Sequence, residues 1–205
     1  MKGIDFMTYK VGDTVVYPRH GAARIEEISE REFKGEVRTY LTLSVLSADG
    51  LVIKVPVESV KSVGVRDVID AKEVSRVFEI LRTPIVEEKI NWSRRYKLNV
   101  EKIASGDVHK IAEVVRDLTQ RTVDDHGLSA GEKRMLHRAR NILASEISIS
   151  EKLSEDETQR LLDVNLGLEK FKPGDEKHHA KFPDEPAHET LARAAAEKKK
   201  TSGKK

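Results

Sequence analysis

The chain has no cysteine, so it forms no disulfide and offers no thiolate to a metal. That is compatible with a reducing, intracellular compartment. Long apolar runs are also missing. The longest cover a few residues, far short of the ~20 that span a bilayer. Residues 1–9 carry Lys2 and Asp5 where a signal peptide needs an apolar centre. The expectation is a cytoplasmic protein without membrane contact, with Met7 as an alternative start because the patterned sequence begins right after it. No phosphate-cradling glycine loop occurs: Gly3, Gly12 and Gly21 lie too far apart, and no Gly-Lys-Ser/Thr follows a glycine run. No His-Glu-x-x-His occurs either. Among seven histidines only His178 and His179 are adjacent, in a charged tail that fixes no ligand geometry. The carboxylate pairs Asp124-Asp125 and Glu26-Glu27 read as solvated charges. No enzyme, metal or cofactor is expected.

Charge is what the chain does have. Charged residues make up 35% and hydrophobic ones 38%, which implies a small core plus a solvated segment. A net charge of +2 hides an uneven distribution. Residues 1–65 balance nine cations with nine anions, 91–145 hold eleven against seven, and 146–176 hold four against nine. The last nine residues contain five lysines and one glutamate. An anionic partner therefore meets the basic middle.

The front third reads as β. A short apolar run at 11–17 ends at Pro18-Arg19-His20-Gly21, a turn composition. A second strand covers 22–33, and Lys34-Gly35 turns it. Along 37–46, Leu41, Leu43 and Val45 alternate with Tyr40, Thr42 and Ser44. Asp49-Gly50 supplies hairpin chemistry before a strand at 51–55. Short strands joined by tight turns predict a small bent sheet or partial barrel, whose exposed edges serve as docking surfaces. After Ser62-Val63-Gly64-Val65-Arg66 the period shifts to about 3.6. Four stripes follow: Val74, Val77, Phe78 and Leu81; a helix from Asn91 to Ala104; Val108, Ile111, Ala112, Val115 and Leu118; and Met135, Leu136, Ala139, Ile142 and Leu143. Ser129-Ala130-Gly131-Glu132 is a capping box opening the last of these. A final acidic helix lies within 153–168. The fold class is α+β, divided as 8–65, 66–168 and a disordered charged tail at 169–205.

The stretch Asn91-Trp92-Ser93-Arg94-Arg95-Tyr96-Lys97 holds the only tryptophan. Asn91 is a helix N-cap, which puts Trp92 in the first turn. Trp92, Tyr96, Asn99, Val100 and Ile103 share one helical face. Two readings stand side by side. Either Trp92 closes a core and the cations are a solvated face, or Trp92 is an exposed apolar wedge with cations holding phosphates around it. The second basic cluster, Lys133, Arg134, Arg138 and Arg140, has the same two readings, because it begins at a helix N-terminus.

Four motifs in order resemble the CarD/CdnL family of bacterial transcription regulators, over roughly residues 8–165. They are Lys10-Val11-Gly12-Asp13-Thr14-Val15-Val16-Tyr17-Pro18-Arg19-His20-Gly21, Gly64-Val65-Arg66-Asp67, Asn91-Trp92-Ser93-Arg94-Arg95-Tyr96, and Leu128-Ser129-Ala130-Gly131-Glu132-Lys133-Arg134-Met135-Leu136. The last two are similar to the actinobacterial branch. The resemblance implies a Tudor-like front domain that docks on the RNA polymerase β subunit, and a helical domain that touches promoter DNA. It implies that Trp92 wedges into the minor groove at the upstream edge of the bubble, with Arg94, Arg95 and Lys97 beside it. Arg31, Phe33 and Lys54 match the polymerase-facing positions. Lys54 stands where the branch has arginine, so it keeps the charge without the planar two-pronged donor. The expected protein is a monomer that stabilises the open complex. Two rivals are a stand-alone nucleic-acid-binding protein and a pure protein–protein adaptor.

Overall fold

The computed structural model describes residues 9–169, apart from 34, 48–49, 86–89 and 124–126. The front part is an open antiparallel sheet of five strands in the order β4-β3-β2-β1-β5. The strands are β1 (Thr14–Tyr17), β2 (Gly21–Phe33), β3 (Glu36–Val45), β4 (Val52–Pro56) and β5 (Arg66–Asp67). The long β2–β3 hairpin bends at a register shift between Ile25 and Glu27; an extra residue on one strand increases local twist. Ile25, Leu41, Leu43, Val45 and Val55 line the buried face, as the alternation predicts. A four-residue helix, α1 (Val60–Val63), leads into β5. The last strand thus lies just past the expected boundary at 65 and pairs back onto β1 through Val15↔Asp67 and Val16↔Arg66.

Five helices follow: α2 (Ala71–Arg82), α3 (Trp92–Ala104), α4 (Val108–Val123), α5 (Ala130–Glu151) and α6 (Glu155–Asn165). Their starts are fixed locally. The side chains of Asp70 and Asn91 accept the backbone N–H three residues on, each at 2.9 Å. Ser129 and Ser154 each open a full capping box with Glu132 and Glu157. Such caps satisfy donors that the first turn leaves free. The predicted stripes of α2, α4 and α5 meet in one core, with Val74, Phe78, Ile111, Val115, Ala139 and Leu143 buried and Leu136 packed at its margin. Arg140, read from the sequence as a surface cation, instead joins α5 to α6 through Asp163 at 2.8 Å. Among the described residues no helix is long and apolar enough to cross a membrane. The expected tail lies outside the described residues, apart from Glu169; the Asp-Gly turn at 48–50 falls partly outside them.

The sheet and the helices are locked together by one buried carboxylate. Glu146, on α5, is fully buried. It accepts from both terminal nitrogens of Arg66 on β5, Nη2–Oε2 at 3.0 Å, and from the Ile69 backbone N–H at 3.1 Å. Arg66 also donates to the Gly106 carbonyl between α3 and α4, at 3.0 Å. Beside this clamp the turn after β1 presses on α5. A Cβ at Gly21 would lie 2.7 Å from Ser145 Oγ and 3.2 Å from the Ile142 Cα, and Gly21 has φ +82°. Only glycine meets both demands. The Ala22 N–H then donates to Ser145 Oγ at 3.2 Å.

Removing one partner of a buried pair leaves the other charge uncompensated. Arg66→Ala is expected to cost about 3 kcal/mol, the low end of that range because Arg66 is partly exposed. Glu146→Gln, which keeps an acceptor for Ile69, should cost less. Urea denaturation of the full chain measures both; equal, small losses would show that the clamp is dispensable.

Candidate nucleic-acid interface

Trp92 opens α3 and is 50% exposed. Its helical face is divided. Asn99 and Ile103 are buried, Tyr96 is half-buried, and Val100 remains exposed with Trp92. The stripe is therefore buried at its inner end and half in water at its first residue. Trp92 packs against Tyr96, ring centroids 5.4 Å apart. Tyr96 in turn lies against Gly131, where a Cβ would sit 3.2 Å from its ring, so glycine lets the aromatic pair rest on the first turn of α5.

The three neighbouring cations do different things. Arg94 is exposed and has no acidic partner among the described residues. Lys97 is exposed and reaches Glu101 only at 3.9 Å. Such a contact is worth little and leaves the charge available. Arg95, grouped with them from the sequence, turns inward. Its Nη2 donates to Glu132 Oε1 at 3.1 Å, and Glu132 is almost completely buried. The other Glu132 oxygen accepts from the Ser129 N–H at 3.0 Å and hydroxyl at 2.8 Å. The capping box seen in the sequence is thus also the anchor of the tryptophan helix. Burial pushes the Glu132 pKa up, but hydrogen bonds from Ser129, Arg95 and the Trp92 side chain outweigh it, and the net shift is downward.

The outer face of the sheet carries the other expected site. Arg31 pairs in register with Arg38, and Lys54 with Thr42, so both project from the face opposite the core. They lie two strands and about 13 Å of strand apart, from four residues at roughly 3.3 Å each. Both are exposed. Phe33 ends β2 opposite Glu36, and its side chain lies outside the described residues. β4 is an edge strand of the open sheet.

Two functional positions escaped the sequence reading. Glu146 stands in the apolar register of α5 beside Ile142, Leu143 and Ile147, and an acid in a buried stripe signals a buried partner. Arg66 sits in a motif whose purpose shows only when β5 meets α5.

An open sheet with an unpaired edge strand is joined to a helical bundle that presents a half-exposed tryptophan beside the exposed Arg94 and Lys97. Residues 9–69 match the CarD-like/TRCF RID domain, and residues 76–163 match the CarD C-terminal domain. The chain is 34% identical over 147 residues to YdeB of Bacillus subtilis (strain 168), named provisionally as a transcription factor. That alignment covers 72% of this chain and 95% of YdeB. The chain belongs to the CarD/CdnL family of transcription factors, and its front domain is of the RNA-polymerase-interacting kind.

Because the folded-state pKa of Glu132 is depressed, its stabilising bonds are fully present above its ordinary value of 4.5 and are lost as pH falls through the lower folded value. Wild type is therefore expected to lose melting temperature more steeply below pH 4.5 than Glu132→Gln. Parallel melting curves for the two would remove Glu132 as a stabilising acid.

Proposed function

We propose that the protein docks on the RNA polymerase β subunit through its sheet and stabilises the promoter open complex through Trp92. The exposure of the chain's single tryptophan at a helix start carries this reading. A large apolar side chain left half in water, fixed from behind by Tyr96 and the Glu132 network, is built to enter a low-polarity gap. A wedge in the minor groove unstacks a base step at a cost of a few kcal/mol. That cost is lowest where the duplex is already opening, so the contact favours the open state without reading bases. Arg94 and Lys97 hold phosphates on either side and supply salt-dependent, sequence-tolerant affinity. Arg95 serves the site indirectly, by fixing the start of α3 on Glu132.

Tethering makes weak DNA contact sufficient, because docking on polymerase raises the effective concentration of the wedge. The edge strand β4 and the outer sheet face, with Arg31, Phe33 and Lys54, form the docking surface. An unpaired strand edge accepts a partner strand, and the flanking cations select an acidic one. The clamp between Arg66 and Glu146 keeps this surface and Trp92 in one rigid relation. The chain acts as a monomer in the cytoplasm, with a sheet module that extends through β5 (Arg66–Asp67) and a helical module that follows it.

Trp92→Ala is expected to leave the melting temperature nearly unchanged and to abolish most of the lengthening of open-complex half-life under heparin challenge. Unfolding of this variant would return Trp92 to the core. Wild type that binds polymerase without lengthening the half-life would support an adaptor. The pair Arg31→Glu and Lys54→Glu is expected to eliminate retention on polymerase in a pull-down; wild-type retention would move the docking surface elsewhere.

A further inference from the structure

We propose that the cleft between the β1–β2 turn, α3 and α5 binds an organic phosphate of nucleotide size. Its volume is about 370 Å³, within the roughly 300–1,000 Å³ of small-ligand sites. Arg19, Arg134 and Arg138 stand at its rim, and no acidic residue lines it. Among the described residues none of the three arginines forms an ion pair. Arg138 instead donates to the Arg19 carbonyl at 3.1 Å, which holds the two guanidinium-bearing segments together. Arg19 takes φ +69°, an uncommon conformation for a side-chain-bearing residue. The field they create is registered by the adjacent His20, whose pKa is lowered by burial and then by the charges of Arg138 and Arg19.

The rest of the lining is apolar. The buried Ile103 and Met135 form the floor, and the half-buried Tyr96 and the exposed Val100 line the sides. This combination selects the ligand class. An inorganic anion would use the rim and leave the floor empty. A duplex backbone is convex and meets protruding cations such as Arg94 and Lys97 more readily than a recess. A phosphate ester with a flat ring uses both parts. The planar forks of arginine match phosphate oxygens in pairs, and the ring lies against Tyr96 and the floor. A bound ligand touches the sheet module and the tryptophan helix together, and Tyr96 connects it to Trp92 at 5.4 Å. The site stands whether or not Trp92 enters DNA.

Titration of the full chain with ATP, GTP and UTP, with pyrophosphate as the charge control, tests the site by calorimetry and Trp92 fluorescence. The expected result is saturable one-to-one binding of at least one nucleotide, about tenfold tighter than pyrophosphate. Arg134→Gln should weaken it about tenfold. Val100→Trp, which fills the cleft without removing a cation, should weaken it by a similar factor, and Lys72→Ala, an exposed cation on α2 away from the lining, should leave it unchanged. Circular dichroism checks that both cleft variants are folded; both substitutions change exposed positions. Absence of saturable binding at millimolar nucleotide would overturn the proposal, as would equal affinity for pyrophosphate. So would binding that survives Val100→Trp, or a short duplex that binds more tightly than any nucleotide and is lost in Val100→Trp.

Discussion

The fold depends on a carboxylate that is out of water. Glu146 sits on the buried side of α5, and its charge is tolerated only because Arg66 and the Ile69 N–H surround it. Arg66 reaches it from a two-residue strand and also binds the Gly106 carbonyl. Three separate segments must therefore be in place before the charge is satisfied. A pair of this kind adds little net stability over apolar packing, yet it punishes any other arrangement severely. That makes it suited to fixing one orientation between a sheet core and a helical core that each pack on their own.

A second buried acid repeats the device on a smaller scale. Glu132 completes the cap of α5 and takes Arg95 from α3. One residue thereby caps the start of one helix, makes the contact with another and places the aromatic pair Trp92–Tyr96. The two acids divide the labour. Glu146 sets where the helical bundle stands relative to the sheet, and Glu132 sets where the tryptophan stands on the bundle. Arg66, Arg95 and Arg140 are held by internal ion pairs to Glu146, Glu132 and Asp163, whereas Arg94 and Lys97 stay exposed.

Much of this was legible beforehand. The stripes of α2 and α4 and most of that of α5 are buried as their periodicity predicts, because a 3.6-residue repeat has only one economical way to face a core. Asn91, Ser129 and the alternation along β3 likewise act as read, since caps and strand faces are local. The cations were the least legible. Arg94, Arg95 and Lys97 are near neighbours in sequence, but helical geometry sends Arg95 inward to Glu132 and the other two outward. Arg138 and Arg140 part in the same way, one to the Arg19 carbonyl and one to Asp163. A charge list cannot separate such residues, because the difference is the partner, and the partner lies 23 to 119 residues away.

The sequence by itself determined the α+β class, the helix starts, the faces that pack, and the motifs that mark the CarD/CdnL family, since each depends on residues within a turn or two of one another. The tertiary structure decided that Trp92 stays half in water while Asn99 and Ile103 on the same face do not. It decided which arginines are spent and which are free, and it formed the cleft at the junction of Arg19, Tyr96 and Arg134. The physical reason is the same in each case: burial and pairing are properties of segments brought together from distant parts of the chain, and no local pattern specifies which segments meet.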